Sequence, residues 1–547
     1  MASSCADFQA LTDEFYQVWF RFHPDTAQRV GVPGYAGALP AVDDDDVGAL
    51  GSWLESTIVG LEEIDFHALD PAGQLEMEIL FGACRDEYQA ILECDWRHRN
   101  PLAFMPLRTV CGLAREADSL GEAALTRCLQ EIPGFLHKAR STLSAYPALI
   151  PRIWVDVAQR EGAAGVRFLQ RLAERGEDAG ELRAHCDQAA SAVAEYLSFL
   201  AEKITPEAEG NTACGWQRFQ EQLRLRHHLP DKLGDLHELA RQIYQTTAAE
   251  LSALCKEQTG VEDPRPWLER LTQEKKLQGE ERVRYVRKRS NEIHRRLADT
   301  DQFRLPDAAL LELRLAAEDS PLDCATVYRP TTAAGIPSGE LYLPRPVTGT
   351  AVDTPAQLTA WCIRNAWPGR HLQSVTASAG GHAESMVRRV NFSPSQQVGW
   401  LLYAEQLVQE LGLFPAPKHK LYCLLARLRR TLLALLDIEF HVYGLTVSSA
   451  LQQLQELPGQ HAQSAAQDLL MLTRYPTQQL VGVVNWRLID VLRQWQQSHG
   501  EGTPADFHHL LLSQGCVALP PVIRQLYGRQ AWDWVVARLI PQDQEVD

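Results

Sequence analysis

The sequence predicts a mainly α-helical protein carrying one small β-ribbon. Apolar residues recur at helical spacing along almost the whole chain. Only one segment, residues 324–355, has the Pro, Gly, Thr and Tyr content of short strands joined by turns. The 547 residues are 45% hydrophobic and 22% charged, an ordinary globular make-up that excludes disordered, collagen-like and membrane-spanning architectures.

From the N-terminus, "ADFQALTDEFYQVWFRF" sets Phe8, Leu11, Phe15, Val18 and Trp19 along one helix side. The Gly/Pro-rich "RVGVPGYAGALPAVDDDD" reads as a loop whose Asp43 to Asp46 oppose the positive end of the next helix; consecutive aspartates diverge too much in direction to chelate a metal together. "PAGQLEMEILFGACRDEYQAILE" repeats the helical pattern through Leu75, Ile79, Leu80 and Tyr88, and amphipathic helices continue over 120–305. In the last of these, Arg282, Arg284, Arg287, Lys288 and Arg289 follow acids, the pattern of a solvated helix face.

After the β-ribbon, helices resume at "AQLTAWCIRNAWPGRHLQ", where Pro368 and Gly369 must interrupt the helix. "QQVGWLLYAEQLVQELGLF" carries Glu405 on a face with Trp400 and Tyr403. In the apolar helix "LLARLRRTLLALLDIEFHVYGLT", Asp437 and His441 lie four apart and so share a face. An acid and an imidazole buried together need partners. In "FHHLLLSQGCVALPPVIRQ", Gly515 stops one helix and Pro520-Pro521 start the next; His508 and His509 diverge in direction.

Lys+Arg 53 against Asp+Glu 70 gives a net charge of −17, which argues against phosphate backbones and anionic lipid surfaces as partners. The 12 cysteines are scattered without a C-x-x-C pair, as in reduced proteins. The first 20 residues hold neither a basic n-region nor an apolar run, and no window holds the ~20 apolar residues of a spanning helix. A cytoplasmic protein is expected, with no membrane and no nucleic-acid partner; oligomeric state is left open.

The segments "RFHPDTAQRVGVPGYAG", "RHRNPLAFM", "IPGFLHKARSTL", "AWPGRHLQ", "VGWLLYAEQLVQELGLF", "DIEFHVYGLT" and "FHHLLLSQGCVALPPVIRQ", in that order and spacing, resemble the bacterial domain-of-unknown-function 885 family. That family resembles zinc-dependent peptidases of the gluzincin kind. The resemblance runs nearly the full length and implies one peptidase-like unit over 1–547. Within it are an N-terminal helical half (1–305) and a C-terminal half (306–547) holding the ribbon and the metal-site helices. The implied architecture is a large zincin-like fold, its ribbon just before the active-site helix.

Family members similar to this chain read H-E-x-x-P-G-H-H-L-Q at the central helix, with zinc-binding histidines and a glutamate base. Here Arg364 replaces the first histidine, Asn365 the glutamate and Arg370 the first histidine after Pro-Gly; His371 remains. The next family helix begins E-G-W-A-L-Y-A-E, its first glutamate completing the metal site, and Val398 stands there instead. Where the family tends to carry an oxyanion-stabilising tyrosine, this chain offers Gly482 or Val481. Arginine cannot bind zinc, since its guanidinium stays protonated, so no zinc and no other cofactor is expected.

The reading is therefore a catalytically degenerate peptidase homologue. It would bind a peptide, a small acidic ligand or a protein partner in the inherited cleft, where an edge strand can pair with substrate. Arg364, Asn365, Arg370, Trp367, Trp400 and Tyr403 are the candidate binding residues. Arg364 and Arg370 would hold an anion, or pair with internal acids such as Glu405 and Asp437. His371, Glu405, Asp437 and His441 are the candidate catalytic groups, the last two also suited to bracing the site. Two alternatives stand: a metal-independent enzyme with the arginines as oxyanion holders and His371 or Glu405 as acid/base, or a metallopeptidase with ligands from other positions.

Overall fold

Helix-forming periodicity becomes helices throughout the computed structural model, which describes residues 2–93, 95–114, 119–174, 180–230, 233–315, 328–333, 335–343, 353–414, 416–500 and 502–539. Two compact units divide the described chain, residues 2–212 and residues 213–539. The sequence division near 305 therefore falls inside the second unit.

The first unit is helical. Asp44–Glu63 packs on Pro71–Glu93, and Arg152–Ala173 packs on Gly180–Phe199. Gly162 permits the second arrangement's close packing, since a Cβ there would lie 2.5 Å from a Leu197 methyl. Asp43 is the N-cap of its helix but makes no side-chain capping bond. Asp44 instead pairs with buried Arg97 at 2.9 Å, and Asp43 with Lys138 at 2.8 Å.

The second unit holds the helices Leu233–Thr259, Pro394–Glu410, Pro417–His441 and Gln478–His499, whose packing centres on fully buried Leu402, Ala434 and Val483. Gly399 lets two of them cross closely: a Cβ there would stand 2.5 Å from Asn485 Cβ. Burial of a leucine of this kind contributes about 2 kcal/mol, so this crossing is a main source of stability.

The ribbon is a three-stranded sheet of order β1-β3-β2, with β1 at Leu311–Leu315, β2 at Tyr328–Ala333 and β3 at Ile336–Leu343. β2 and β3 form an antiparallel hairpin through Gly335 at φ +79°, and β1 runs parallel to β3. Residues 324–327 and 344–352 of the expected β segment lie outside the described residues. The sheet rests on the helix Arg370–Ala379. Arg282, expected on a solvated face, is buried in the helix Gly279–Ala298, where Val283, Val286 and Ile293 also face inward.

Candidate functional site

The interruption at Pro368-Gly369 separates the helix Pro355–Asn365, opened by a Thr354/Gln357 capping box, from the helix Arg370–Ala379. Gly369 is required here: a Cβ would lie 1.9 Å from the Arg364 carbonyl oxygen and 2.6 Å from that of Ile363. Trp400, fully buried, clamps the elbow by donating its indole N–H to the Pro368 and Gly369 carbonyls at 3.1 and 3.2 Å. Arg364 and Arg370 are thereby fixed on either side of one turn.

Arg364 grips Glu405 with both ends of its fork, Nε to Oε1 at 2.7 Å and Nη2 to Oε2 at 2.9 Å. Burial would lower the Arg364 guanidinium, but the Glu405 charge and hydrogen bonds hold it above its ordinary value. Glu405 is 1% exposed and fully engaged. Of the two acids proposed for Arg364, the structure selects Glu405. Among the described residues Arg370 has no such partner: its Nε is buried without an acceptor, and burial, then the nearby Arg364 charge, pull it down.

Asn365 is buried and donates to the Trp361 carbonyl at 3.0 Å. Trp367 is fully buried, its ring edge-on to His371 at 4.5 Å and to His294 at 4.8 Å. His371 is also sealed, and its Nδ1 meets the Tyr328 hydroxyl at 2.8 Å. Burial, then the His294 charge, lower the His371 imidazole to about 3, so it is neutral at ordinary pH. Tyr403 is interior, its hydroxyl 2.7 Å from His508 Nε2. Asn365, Trp367, Trp400 and Tyr403 are thus internal supports, and His371 and Glu405 lack the solvent access of an acid/base pair.

Asp437 and His441 do different work. The Asp437 carboxylate accepts the backbone N–H groups of Thr477, Gln479 and Leu480 at 3.2, 3.0 and 3.0 Å, capping the helix Gln478–His499. His441 Nδ1 accepts from the Cys214 N–H at 3.2 Å and its Nε2 donates to the Leu472 carbonyl at 2.9 Å. Both imidazole nitrogens are satisfied in the neutral form. The Asp437 Oδ1 lies 3.7 Å from His441 Nε2.

Val398 packs on Gly482: a Cβ added to that glycine would stand 2.8 Å from Val398 Cγ1. Val398 and Gly482 are therefore in contact, within an apolar layer. These residues do not fit zinc. An arginine bound to a carboxylate, an amide bound to a carbonyl, a second arginine and a packed valine supply no ligand set. Among the described residues no three His, Cys, Asp or Glu side chains gather as a metal site.

Two groups escaped sequence reasoning. Tyr328 anchors β2 to His371, with Gly339 making room for its ring. Arg430, in the helix Pro417–His441, sits within electrostatic reach of Arg364 and Glu405. The available signal was three arginines, Arg427, Arg429 and Arg430, set in an otherwise apolar run.

The sequence profile for bacterial proteins of unknown function called DUF885 matches residues 24–526. The chain belongs to the DUF885 family. A solved structure of a candidate lipoprotein of unknown function from Shewanella oneidensis is similar to this DUF885 chain at TM-score 0.75 and 16% identity, covering 94% of this chain and 98% of that one. A candidate lipoprotein from Colwellia psychrerythraea is similar at TM-score 0.77 and 16% identity, covering 98% and 100%. At this identity the likeness shows that the DUF885 fold is shared. No curated protein matches.

These neighbours correct one expectation. The cytoplasmic assignment rested on the first 20 residues lacking a leader and on scattered thiols, whereas both similar structures are described as candidate lipoproteins, a class anchored outside the cytoplasm. The absence of a leader-like run does not decide location. No described helix is long and apolar enough to cross a membrane.

Proposed function

We propose that this DUF885 protein is a catalytically degenerate, zincin-like peptidase homologue that binds an acidic small molecule or peptide where its relatives would hold zinc. The observation that carries the reading is the forked Arg364–Glu405 pair at 2.7 and 2.9 Å beside Arg370, whose buried Nε has no acceptor among the described residues. Guanidinium groups at those positions repel a dication and attract carboxylate or phosphate. β2 has no second strand partner among the described residues, which supports pairing with an extended peptide.

The sealed positions of His371 and Glu405 favour binding over metal-free catalysis. The description of the two similar structures supports an extracytoplasmic setting, tested by fractionating cells that express the full-length chain. Calorimetric titration of the purified protein with zinc, followed by a peptide-hydrolysis assay, tests the site itself. Neither zinc heat nor cleavage is expected; stoichiometric zinc binding with hydrolysis overturns the reading.

A further inference from the structure

The net charge is not spread along the chain. Residues 1–212 hold 34 acids against 17 arginines and lysines, whereas residues 213–547 hold 36 of each, so the whole −17 lies in the first stretch. A surface of that sign attracts basic partners and repels a second copy of itself.

Within the first unit a groove runs between the helix Ser119–Leu143 and the helix Gly180–Phe199, which pack against each other. It consists of two adjoining cavities of about 540 and 530 Å³ that share Arg140, Ser191 and Glu195. Asp187, Ser191, Glu195, Ser198 and Glu202 line it in steps of three or four residues, which keeps them on one helix face. Glu202 stands in a π-helical turn, Leu200–Ile204, that prolongs this helix, a distortion frequent at functional sites.

Two cations also line the groove. Arg140 is held by Glu195 at 3.3 Å, and Lys203 neighbours Glu202 in the sequence at one end. Asp187 and Glu202 are exposed and make no ion pair or hydrogen bond to a described residue. At ~1.5 Å of rise per residue the three carboxylates stand roughly 12 and 10 Å apart along the helix. That is too far to share one metal ion, and it is the reach of about three or four residues of extended peptide.

We propose that this groove binds a basic, extended segment of a partner protein, its lysine or arginine side chains meeting Asp187, Glu195 and Glu202. Ser191 and Ser198, between the acids, offer hydrogen bonds to the peptide, while Leu136 and Phe199 cover the aliphatic stems of its basic side chains. The site is separate from the anion reading of Arg364 and Arg370 and does not depend on it.

The test uses the full-length protein and the fluorescently labelled peptide Lys-Ser-Ala-Ala-Lys-Ser-Ala-Lys, whose lysines match the spacing of the acids. Anisotropy at about 50 mM sodium chloride should report micromolar binding, weakened at least about tenfold at about 500 mM. An isomer with its three lysines adjacent should bind at least about threefold more weakly, because it cannot reach all three acids. Joint Asp187→Asn, Glu195→Gln and Glu202→Gln should weaken binding about tenfold or more. Ser191→Trp, which fills the groove and changes no charge, should abolish it. Joint Glu55→Gln, Glu62→Gln and Glu63→Gln removes the same charge from exposed positions that do not line the groove, and should change binding less than about threefold. All these are surface changes, so Tm should stay within about 2 °C of the parent.

The proposal is overturned if the peptide does not bind, if the two isomers bind alike, if the two triple variants weaken binding equally, or if Ser191→Trp binds like the parent. Spermine binding as tightly as the spaced peptide would also overturn it, by making the ligand a polyamine.

Discussion

Arg364 and Glu405, 41 residues apart, are joined by two hydrogen bonds of 2.7 and 2.9 Å across two buried helices. Glu405→Gln would keep the shape but strand a guanidinium in the interior. The expected loss is about 3–5 kcal/mol, read as a lower urea midpoint. Joint replacement, Arg364→Leu with Glu405→Leu, should recover most of it, because two apolar side chains leave no buried charge. Equal destabilisation by the single and double variants would contradict the pairing.

Asp437 is the cap of the helix Gln478–His499, holding three N–H groups that have no partner one turn back. Asp437→Ala should cost at least about 3 kcal/mol, since buried donors are left unsatisfied. The measurement is equilibrium denaturation, and a change below about 1 kcal/mol would contradict the assignment.

The elbow tolerates only glycine. Gly369→Ala places a methyl 1.9 Å from the Arg364 carbonyl oxygen, backbone against backbone, so no side-chain rotation relieves it. A loss of more than about 3 kcal/mol is expected. Trp400→Phe should cost less, about 1–2 kcal/mol, by removing one indole donor from two carbonyls. Reversed ordering in thermal melts would count against this description of the turn.

Acid should destabilise the protein. Burial lowers His371 to about 3, His419, His441 and His508 each to about 4, and His227 well below its ordinary value, whereas the unfolded chain takes these protons near 6.5. The unfolded state therefore binds more protons as pH falls from 6.5 towards 4, and each histidine costs about 1.4 kcal/mol per pH unit there. Asp437 opposes this: burial raises it to about 7 against the pull of its three N–H bonds, so it favours the folded state as pH drops below 7. These histidines outweigh one aspartate, and pH 5 should be less stable than pH 7.5 by at least about 5 kcal/mol. A denaturation midpoint at pH 5 equal to that at pH 7.5 would contradict it.

Much of this fold was legible in the sequence because it is built from amphipathic helices, and because Pro368-Gly369 and the Gly335 turn announce themselves chemically. β1 was not legible. "LELRL" is made of strong helix formers and becomes a strand because β3 offers it an edge, a tertiary effect that local propensity cannot register. At the site, the family resemblance offered Glu405 and Asp437 as possible partners of Arg364, yet the fork onto Glu405 depends on helix packing. Trp400 and Tyr403 read as candidate binding residues on one face with Glu405, but their polar ends are tied to interior groups.

Metal content tests the central claim most directly. Full-length protein purified without chelator and transferred to ammonium acetate for native mass spectrometry should have the mass of the metal-free polypeptide, with elemental zinc well below one equivalent. About one tightly held zinc per chain, accompanied by peptide hydrolysis that a chelator abolishes, would contradict it.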